Sequence, residues 1–341
     1  MTSGLPIEVA VAANSGYFDG LAVVLESLLR SNLENVFRVH VIDGGLRAGE
    51  RRFILLRIKR HNALNEVLFH SIGNHHFQGF RLDYGNSYMT YARMLIGSLV
   101  DSSKVLYLDT DLLVAADVRP LWEIPLDEAI VAAAPDPSIR SLRDDYPLDD
   151  ECGDEPYFNA GVMLIDLSKW RAENVESELF RMIGRAPEKF KWWDQTAMNA
   201  LFRRRVHFLD PEWNAFADRV RIEAKPFGNI YHYVGPSKPW NKYLDTAEFV
   251  LWRAFYRRYV RSVVWLYARS AFASSRLRTM RHYLIRNNRL LRLLAHHLTS
   301  WSGRKQGRWS KPSVERDEIK AEAPMAESIT MQDYLLMRWG C

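Results

Sequence analysis

Two carboxylates separated by one residue follow an apolar stretch of the chain. Asp109 and Asp111 come directly after the run 104–108, which reads Lys-Val-Leu-Tyr-Leu. Side chains two positions apart on an extended chain point the same way, so both carboxylates can reach one ion beyond the end of a strand. Close anions repel each other unless a cation separates them, and carboxylate oxygens suit Mg²⁺ or Mn²⁺. The pattern predicts a divalent-metal site, although Asp-x-Asp also occurs in solvated turns and helix caps.

A third ligand for such an ion is available in the segment 232–240. His232 offers an imidazole, which suits Mn²⁺ better than Mg²⁺. Gly235 lets the backbone approach a bound group closely, and Lys238 brings a positive charge of the kind that contacts phosphate. The alternative is a rigid turn that holds a core histidine and a surface lysine.

Two further segments carry groups that could contact a sugar. Asn159 precedes a pair of small residues and an apolar stretch that ends at Asp166. The Asn159 amide could hydrogen-bond a hydroxyl, or it could lie in a turn, with Asp166 capping the next helix. Asp194 and Gln195 follow two tryptophans and head a predicted helix at 196–202. A simple helix cap by Asp194 competes there with a functional role, and the tryptophans could be core residues or a platform for a sugar ring.

Predicted strands and helices alternate in the first part of the chain and would position these groups. This alternation predicts parallel β-α-β units and an α/β fold, in which ligands bind beyond the carboxyl ends of the strands. After residue 108 the pattern becomes mixed. The predicted strands are 7–13, 37–42, 66–70, 104–108, 130–134, 160–166 and 229–233, and the predicted helices include 21–29, 50–61 and 91–99.

The composition is that of a globular protein in a reducing compartment. The chain has 341 residues, of which 48% are hydrophobic and 26% charged, and this excludes a wholly disordered chain and a polytopic membrane protein. Cys152 and Cys341 cannot build a disulfide framework. We find no signal peptide, and no run reaches the roughly 20 apolar residues that span a bilayer. We therefore expect a cytoplasmic protein.

Taken together, the motifs resemble glycosyltransferase family 8, in particular its bacterial galactosyl- and glucosyltransferases of lipopolysaccharide and lipooligosaccharide synthesis. The resemblance implies a GT-A fold, which is a Rossmann-like mixed α/β sheet with helices on both faces. It also implies transfer of a hexose from a UDP-sugar to a saccharide acceptor, with Mn²⁺ (or Mg²⁺) and with retention of configuration. The resemblance runs from about residue 7 to residue 240 and rests on the segments 90–93, 104–111, 157–162, 194–195 and 232–240.

The resemblance also implies roles for individual residues. The metal ligands of the family match Asp109, Asp111 and His232. Its contacts to the nucleotide and diphosphate, with a tyrosine stacked on uracil, match Ala12, Ala13, Asn14, Tyr17, Arg93, Thr110, Gly235 and Lys238. Its contacts to the transferred sugar match Asp136, Asn159, Asp194 and Gln195, and Trp240 is a candidate acceptor contact.

Two positions depart from the family pattern. Asn14 stands where better-known members often have Asp, and Thr196 stands where a second Asp often follows the Asp-Gln pair. Asp194 is therefore the only candidate among these motifs for a covalent nucleophile. We hypothesise instead a same-face reaction, in which the leaving phosphate oxygen takes the acceptor proton.

The C-terminal third predicts contact with an anionic surface. Between Glu248 and Glu315 there is no acidic residue, while arginine recurs throughout. Such asymmetry is typical of chains that bind an anionic partner. Apolar and basic stripes side by side suit helices that lie on an anionic bilayer, and packing against the catalytic domain is the alternative. The apolar stripe is Trp252, Tyr256, Tyr259, Val263 and Leu266, and the basic one is Arg253, Arg257 and Arg261.

These patterns divide the chain into three predicted regions. We expect a GT-A catalytic domain at 1–245, a basic amphipathic membrane-association region at 246–310 and a flexible tail at 311–341. The enzyme would then lie peripherally on the inner face of the cell membrane. We do not expect a nucleic-acid partner, because no base-reading motif accompanies the arginines.

Two other functions would share some of these features. A sugar nucleotidyltransferase would have the same α/β layout and paired aspartates, but the segment 14–20 has no basic residue for its phosphate loop. A catalytically degenerate glycan-binding module on the membrane would have no need of an intact set of Asp109, Asp111, His232 and Lys238. The resemblance favours an active hexosyltransferase over both.

Overall fold

The centre of the protein is a mixed sheet of seven strands in the order β3-β2-β1-β4-β7-β6-β8. A computed structural model describes residues 5–83, 87–139, 156–217, 228–240 and 249–261. A second sheet of three strands, in the order β5-β10-β9, lies beyond the end of β4. The strands are β1 Ile7–Ala13, β2 Phe37–Asp43, β3 Glu66–Ser71, β4 Lys104–Leu108, β5 Leu112–Val114, β6 Val131–Pro135, β7 Phe158–Asp166, β8 Val206–Phe208, β9 Ala215–Phe216 and β10 Ile230–His232.

The direction of the strands changes within the large sheet. Strands β1 to β4 are parallel where they pair, as the alternation of strands and helices predicts. Strand β7 is antiparallel to both β4 and β6. The predicted mixed α/β fold is confirmed, and every strand predicted from the sequence is present with its bounds changed by at most two residues.

Helices cover both faces of the large sheet. Strand β1 is buried along its whole length, as expected for a central strand covered on both sides. Val9 and Val11 pack on one face together with α1 and α2, while Ala10 and Ala12 pack on the other. The helices are α1 Phe18–Ser31, α2 Ala48–His61, α3 Ile96–Leu99, α4 Arg119–Trp122, α5 Leu167–Ala172, α6 Val175–Arg185, α7 Trp193–Phe202 and α8 Val250–Phe255.

One predicted helix, 91–99, is wound differently from the expectation. Met89–Leu95 forms a 3₁₀ helix, and only the last turn, α3, is α-helical. Side chains three residues apart lie one above the other in a 3₁₀ helix. Thr90 and Arg93 therefore point the same way, and both contact Asp194. The tighter winding thus directs two polar side chains to Asp194, while the apolar residues of the same helix pack in the core.

The first part of the predicted C-terminal stripe belongs to the core. Trp252 and Tyr256 stack with their ring centroids 5.0 Å apart, and the Arg30 guanidinium of α1 lies 4.0 Å from the centroid of the Tyr259 ring. These aromatic side chains are buried against α1 and cannot face a bilayer. The rest of the predicted basic region, 262–310, and the predicted tail at 311–341 lie outside the described residues. Within the described segments, no helix combines the length and the apolar character needed to cross a membrane.

Candidate active site

Asp109, Asp111 and His232 meet at the junction of the two sheets. The Asp109 N–H donates to the Gly161 carbonyl (2.8 Å), which extends the pairing of β4 with β7 by one residue. The chain then turns into β5, where Leu112 pairs with His232 on β10. As a result, one ligand atom from each of the three residues lies within 4.8 Å of the others. The structure thus brings together the three residues that the resemblance implies as metal ligands.

The two carboxylates of this cluster have opposite protonation tendencies. Burial by itself would raise the pKa of Asp111, but Lys238 and His232 outweigh it and lower that pKa well below its usual range. The Lys238 ammonium contacts one Asp111 oxygen, and His232 Nε2 lies 3.2 Å from the other. Burial raises the pKa of Asp109, and the nearby Asp111 charge adds to it, although Arg93 opposes both.

The chemistry of this cluster fits a divalent cation. Two carboxylates and an imidazole are the donors that borderline and hard ions such as Mn²⁺ and Mg²⁺ accept. Each carboxylate already pairs with a positively charged side chain: Asp109 with Arg93, and Asp111 with Lys238. Two adjacent buried anions require such compensation. Asp109, Asp111 and His232 could therefore hold a metal ion, and Lys238 pairs with Asp111 instead of standing alone on the surface.

Arg93 joins the metal cluster to Asp194. Its guanidinium lies 2.9 Å from Asp109 Oδ1 and 2.9 Å from Asp194 Oδ2, and it stacks over the Tyr107 ring at 4.7 Å. The side chain is buried, so its donors are directed to protein oxygens. The resemblance implies a donor contact for Arg93. In this structure, the residue pairs with two carboxylates, and the implied donor contact stays a prediction.

Asp194 lies inside α7 and does not cap it. The N-cap is Trp192, and Trp193, the first helical residue, has a φ of 52°, a left-handed value that bulky residues rarely adopt. Asp194 is buried and accepts a hydrogen bond of 2.5 Å from the Thr90 hydroxyl. Burial raises the pKa of Asp194 to about 6 against the opposing effects of Arg93 and this hydrogen bond. The capping interpretation from the sequence is wrong.

The residues implied as sugar contacts form a second cluster around Asp136. Asn159 Nδ2 donates to Asp136 Oδ2 (3.1 Å), and Gln195 Nε2 donates to the same oxygen (3.3 Å). Asn159 lies within β7, so the turn interpretation is wrong, whereas the predicted helix cap by Asp166 is confirmed by its bond from the Lys169 N–H (2.9 Å). The structure thus brings Asp136, Asn159 and Gln195 together from three separate parts of the chain.

The residues implied as nucleotide contacts lie at the carboxyl end of β1. Ala12 and Ala13 end the strand, and Asn14 accepts a hydrogen bond from the Gly16 N–H (2.9 Å) at the start of a 3₁₀ turn. The half-buried Tyr17 follows in this turn. Burial, together with nearby aspartates that include Asp111, raises the pKa of its hydroxyl above the usual range. Tyr17 thus lies near the candidate metal ligands, and the nucleotide contacts implied for this segment stay predictions.

Gly235 and Thr110 lie close to the candidate metal ligands along the chain, whereas Trp240 belongs to the hydrophobic core. Gly235 has a φ of +85°, which glycine adopts without strain, and Thr110 is buried between the two aspartates. Trp240 is only 4% exposed; it packs edge-on against Tyr17 and at an angle of 43° against Trp252. Aromatic neighbours thus cover most of this side chain, and the expected acceptor contact stays a prediction.

Three residues of the site were not singled out from the sequence. Asn214 Oδ1 faces His232 Nδ1 at 2.8 Å, the Tyr107 hydroxyl donates to Asp109 (3.0 Å), and Thr90 binds Asp194. Thr90 lies in a segment that carries the resemblance, so that signal could have indicated it. For Asn214, which follows a Pro-Glu-Trp turn, the sequence contains no comparable signal.

The comparison with known families identifies one family for most of this chain. A model of the family described as Glycosyl transferase family 8 matches residues 8–243. This range agrees with the extent of the resemblance found in the motifs, and it includes all residues of the two clusters described above.

Two curated relatives and one solved structure illustrate the similarity. The chain is 31% identical over 183 residues to glycosyltransferase GlyE of Streptococcus pneumoniae, a match that covers 48% of this chain but only 41% of GlyE. It is 25% identical over 252 residues to lipopolysaccharide 1,2-glucosyltransferase of Escherichia coli K12, with 70% of this chain and 73% of that protein covered. The galactosyltransferase LgtC, crystallised with donor and acceptor sugar analogs, superposes with a TM-score of 0.61 at 27% identity, over 69% of this chain and 90% of LgtC. This likeness confirms the predicted GT-A fold.

Proposed function

The chain belongs to glycosyl transferase family 8, and on that premise we propose that it transfers galactose or glucose from a UDP-hexose to a saccharide acceptor with retention. The observation that carries this proposal is the cluster of Asp109, Asp111 and His232, bordered by Lys238. The similarity to a lipopolysaccharide glucosyltransferase supports an acceptor in the lipopolysaccharide core or a related cell-surface glycan.

The residues of the cluster suit departure of a nucleoside diphosphate. A bound Mn²⁺ or Mg²⁺ would act as a Lewis acid that stabilises the negative charge of the leaving diphosphate. Lys238 adds a positive charge at the same place, since its ammonium already reaches Asp111 and the Tyr233 carbonyl. Preorganised charges of this kind act strongly in a buried site, because no solvent has to reorganise during the reaction.

The surroundings of Asp194 support a same-face reaction over a covalent one. Its carboxylate is buried: Oδ1 accepts a hydrogen bond from the Thr90 hydroxyl, and Oδ2 lies 2.9 Å from Arg93 Nε in an ion pair that lacks hydrogen-bond geometry. A nucleophile that attacks the anomeric carbon needs a free carboxylate oxygen directed at it. In the same-face reaction, the acceptor hydroxyl attacks the anomeric carbon from the side that UDP leaves, and its proton passes to the departing phosphate oxygen. Trapping of a glycosyl-enzyme adduct on Asp194 would rule out this mechanism.

A transfer assay with a panel of UDP-sugars tests the proposal. The full chain is incubated with Mn²⁺ and each UDP-hexose, and released UDP and glycosylated acceptor are measured. We expect turnover of UDP-galactose or UDP-glucose and at least a hundredfold loss in Asp109→Asn and Asp111→Asn, which remove ligand charge. The matched control Asp101→Asn changes an exposed aspartate next to β4 and should retain wild-type turnover. Full activity in chelator-treated, metal-free buffer would refute the metal role.

We also propose that the basic region after residue 261 contacts an anionic bilayer. The support is the run of arginines without acidic residues between Glu248 and Glu315, since each arginine near such a surface contributes about 1 kcal/mol. Sedimentation with anionic vesicles should fall sharply when the chain is truncated after Arg261, a position that leaves the buried aromatic stripe intact. Unchanged sedimentation of the truncated protein would exclude this role.

A further inference from the structure

A row of buried side chains connects the candidate metal ligands to Asp136. His232 Nδ1 lies 2.8 Å from Asn214 Oδ1, and Asn214 Nδ2 donates to Asn159 Oδ1 at 2.9 Å. Asn159 Nδ2 in turn donates to Asp136 Oδ2 at 3.1 Å. Asn214 is 3% exposed and His232 is 4% exposed, so water cannot replace these partners. The row therefore links the two clusters of the site through protein groups alone.

One backbone N–H fixes the direction of every bond in this row. The Gly161 N–H can only donate, and it lies 2.9 Å from an oxygen of the Asn159 side chain, which must therefore be the acceptor Oδ1. The Asn214 atom that faces this oxygen must then be the donor Nδ2. Its other atom, Oδ1, is left to accept, and so it receives the proton of His232 Nδ1.

A parallel argument fixes the neighbouring amide. The Ala160 N–H donates to Gln195 Oε1 at 3.0 Å, which leaves Gln195 Nε2 to donate to Asp136 Oδ2. Two successive N–H groups of β7 thus orient the two amides that meet on one oxygen of Asp136. Assignments of this kind are otherwise ambiguous, because side-chain amides and imidazoles can be flipped.

From this chain of donors and acceptors, we infer that Asn214 is a positioning residue with two roles. It holds a proton of His232 on Nδ1, so that Nε2, the ring nitrogen beside Asp111, is the one that a metal ion would bind. It also holds the Asn159 amide with its Nδ2 directed to Asp136. The inference rests on the proposed function, since it assumes that a metal ion and a UDP-hexose bind at this place.

The general chemistry of metal sites supports the first role. A metal-bound histidine almost always donates its other ring N–H to an acceptor, and losing that acceptor typically lowers metal affinity 10- to 100-fold. Phe216 lies edge-on to the His232 ring, with centroids 5.7 Å apart, and restricts the ring plane. Among the described residues, Asn214 supplies the acceptor that selects the tautomer.

Two substitutions separate the two roles of Asn214. Asn214→Leu fills a similar volume but removes both bonds, so Mn²⁺ affinity and UDP-hexose affinity should both fall at least tenfold. Asn214→Asp still accepts from His232 Nδ1 but cannot donate to Asn159. Its Mn²⁺ affinity should stay within about threefold of wild type, while KM for UDP-hexose rises about tenfold and the affinity for UDP alone is unchanged.

The measurement is a Mn²⁺ titration followed by the EPR signal of the free ion, with and without UDP, alongside thermal unfolding of each variant. Asn35→Leu is the matched control. It removes a buried amide that donates to Asp117 and Asn32 and that lies far from the site. It should change stability and leave Mn²⁺ affinity at the wild-type value.

The outcomes distinguish this inference from the proposed function. A wild-type protein that binds no Mn²⁺ would overturn both. A wild-type protein that binds Mn²⁺, together with a folded Asn214→Leu variant that binds it equally well, would overturn the inference alone. If Asn214→Leu does not fold, Asn214→Asp decides: a tenfold loss of Mn²⁺ affinity there would show that the acceptor at Nδ1 does not control the ligand.

Discussion

A single added methyl group at Gly161 should disable the metal cluster. Gly161 lies on β7 beside the His232 ring, and a Cβ built on it would be 2.3 Å from Cε1 and 2.8 Å from Nδ1 of the imidazole. Ordinary contacts of a Cβ begin at 3.4 Å, so the ring would have to move by about 1 Å in Gly161→Ala. The backbone of β7 cannot easily move away from the ring, because the Gly161 carbonyl accepts a hydrogen bond from the Asp109 N–H.

A displacement of this size is large for a metal ligand. Ligand distances in metal sites are kept to about 0.2 Å, and a 1 Å misplacement in an active site can cost about 100-fold in rate. We therefore expect Gly161→Ala to lower Mn²⁺ affinity at least tenfold and kcat/KM about 100-fold. The assays are the Mn²⁺ titration in the presence of UDP and steady-state transfer.

Two comparisons isolate the collision with His232. Gly184→Ala in α6 is the matched control, since its nearest neighbour is a Phe80 ring carbon at 3.9 Å. Alanine should be accepted there with a gain in helix stability of at most about 1 kcal/mol and no change in Mn²⁺ affinity. In a His232→Ala background, Gly161→Ala should cost less than in the wild type, because only the contact with Asn159 Oδ1 at 3.0 Å remains. A folded Gly161→Ala protein with wild-type Mn²⁺ affinity would refute the placement of the His232 ring.

Two further predictions concern buried charges outside this contact. Burial alone would raise the pKa of Glu26, but hydrogen bonds with His61 and Arg57 overcome it and lower that pKa from 4.5 to about 2. Glu26 therefore stabilises the fold fully above about pH 4.5 and loses this contribution as the pH falls towards 2. We expect Glu26→Gln to lower the free energy of unfolding by about 3 kcal/mol at pH 7, with a difference in urea melts that shrinks below pH 4.5. A constant difference down to pH 2 would contradict this. Arg93→Lys cannot contact Asp109 and Asp194 together, since lysine lacks the planar fork. We expect at least a tenfold loss of kcat with the fold retained, and wild-type kcat would show that the bridge is dispensable.

Much of the fold follows from local patterns in the sequence. The strands at 7–13 and 104–108 were predicted with their observed bounds, because buried central strands are continuous apolar runs. The 3₁₀ helix at 89–95 was not predicted, because its winding depends on contacts of Thr90 and Arg93 with Asp194. Such contacts join residues about 100 positions apart and leave no local periodicity.

The sequence by itself determined which groups could bind a metal ion. Asp109 and Asp111 are two residues apart after an apolar strand, and this spacing directs them to one side of the strand end. Only the tertiary structure decided how the two differ. Asp109 is partly buried beside a second carboxylate and has a raised pKa, whereas Asp111 lies between Lys238 and His232 and has a lowered one. Two identical side chains diverge in this way because a pKa is set by desolvation and by charges within a few ångströms, and these come from distant parts of the chain.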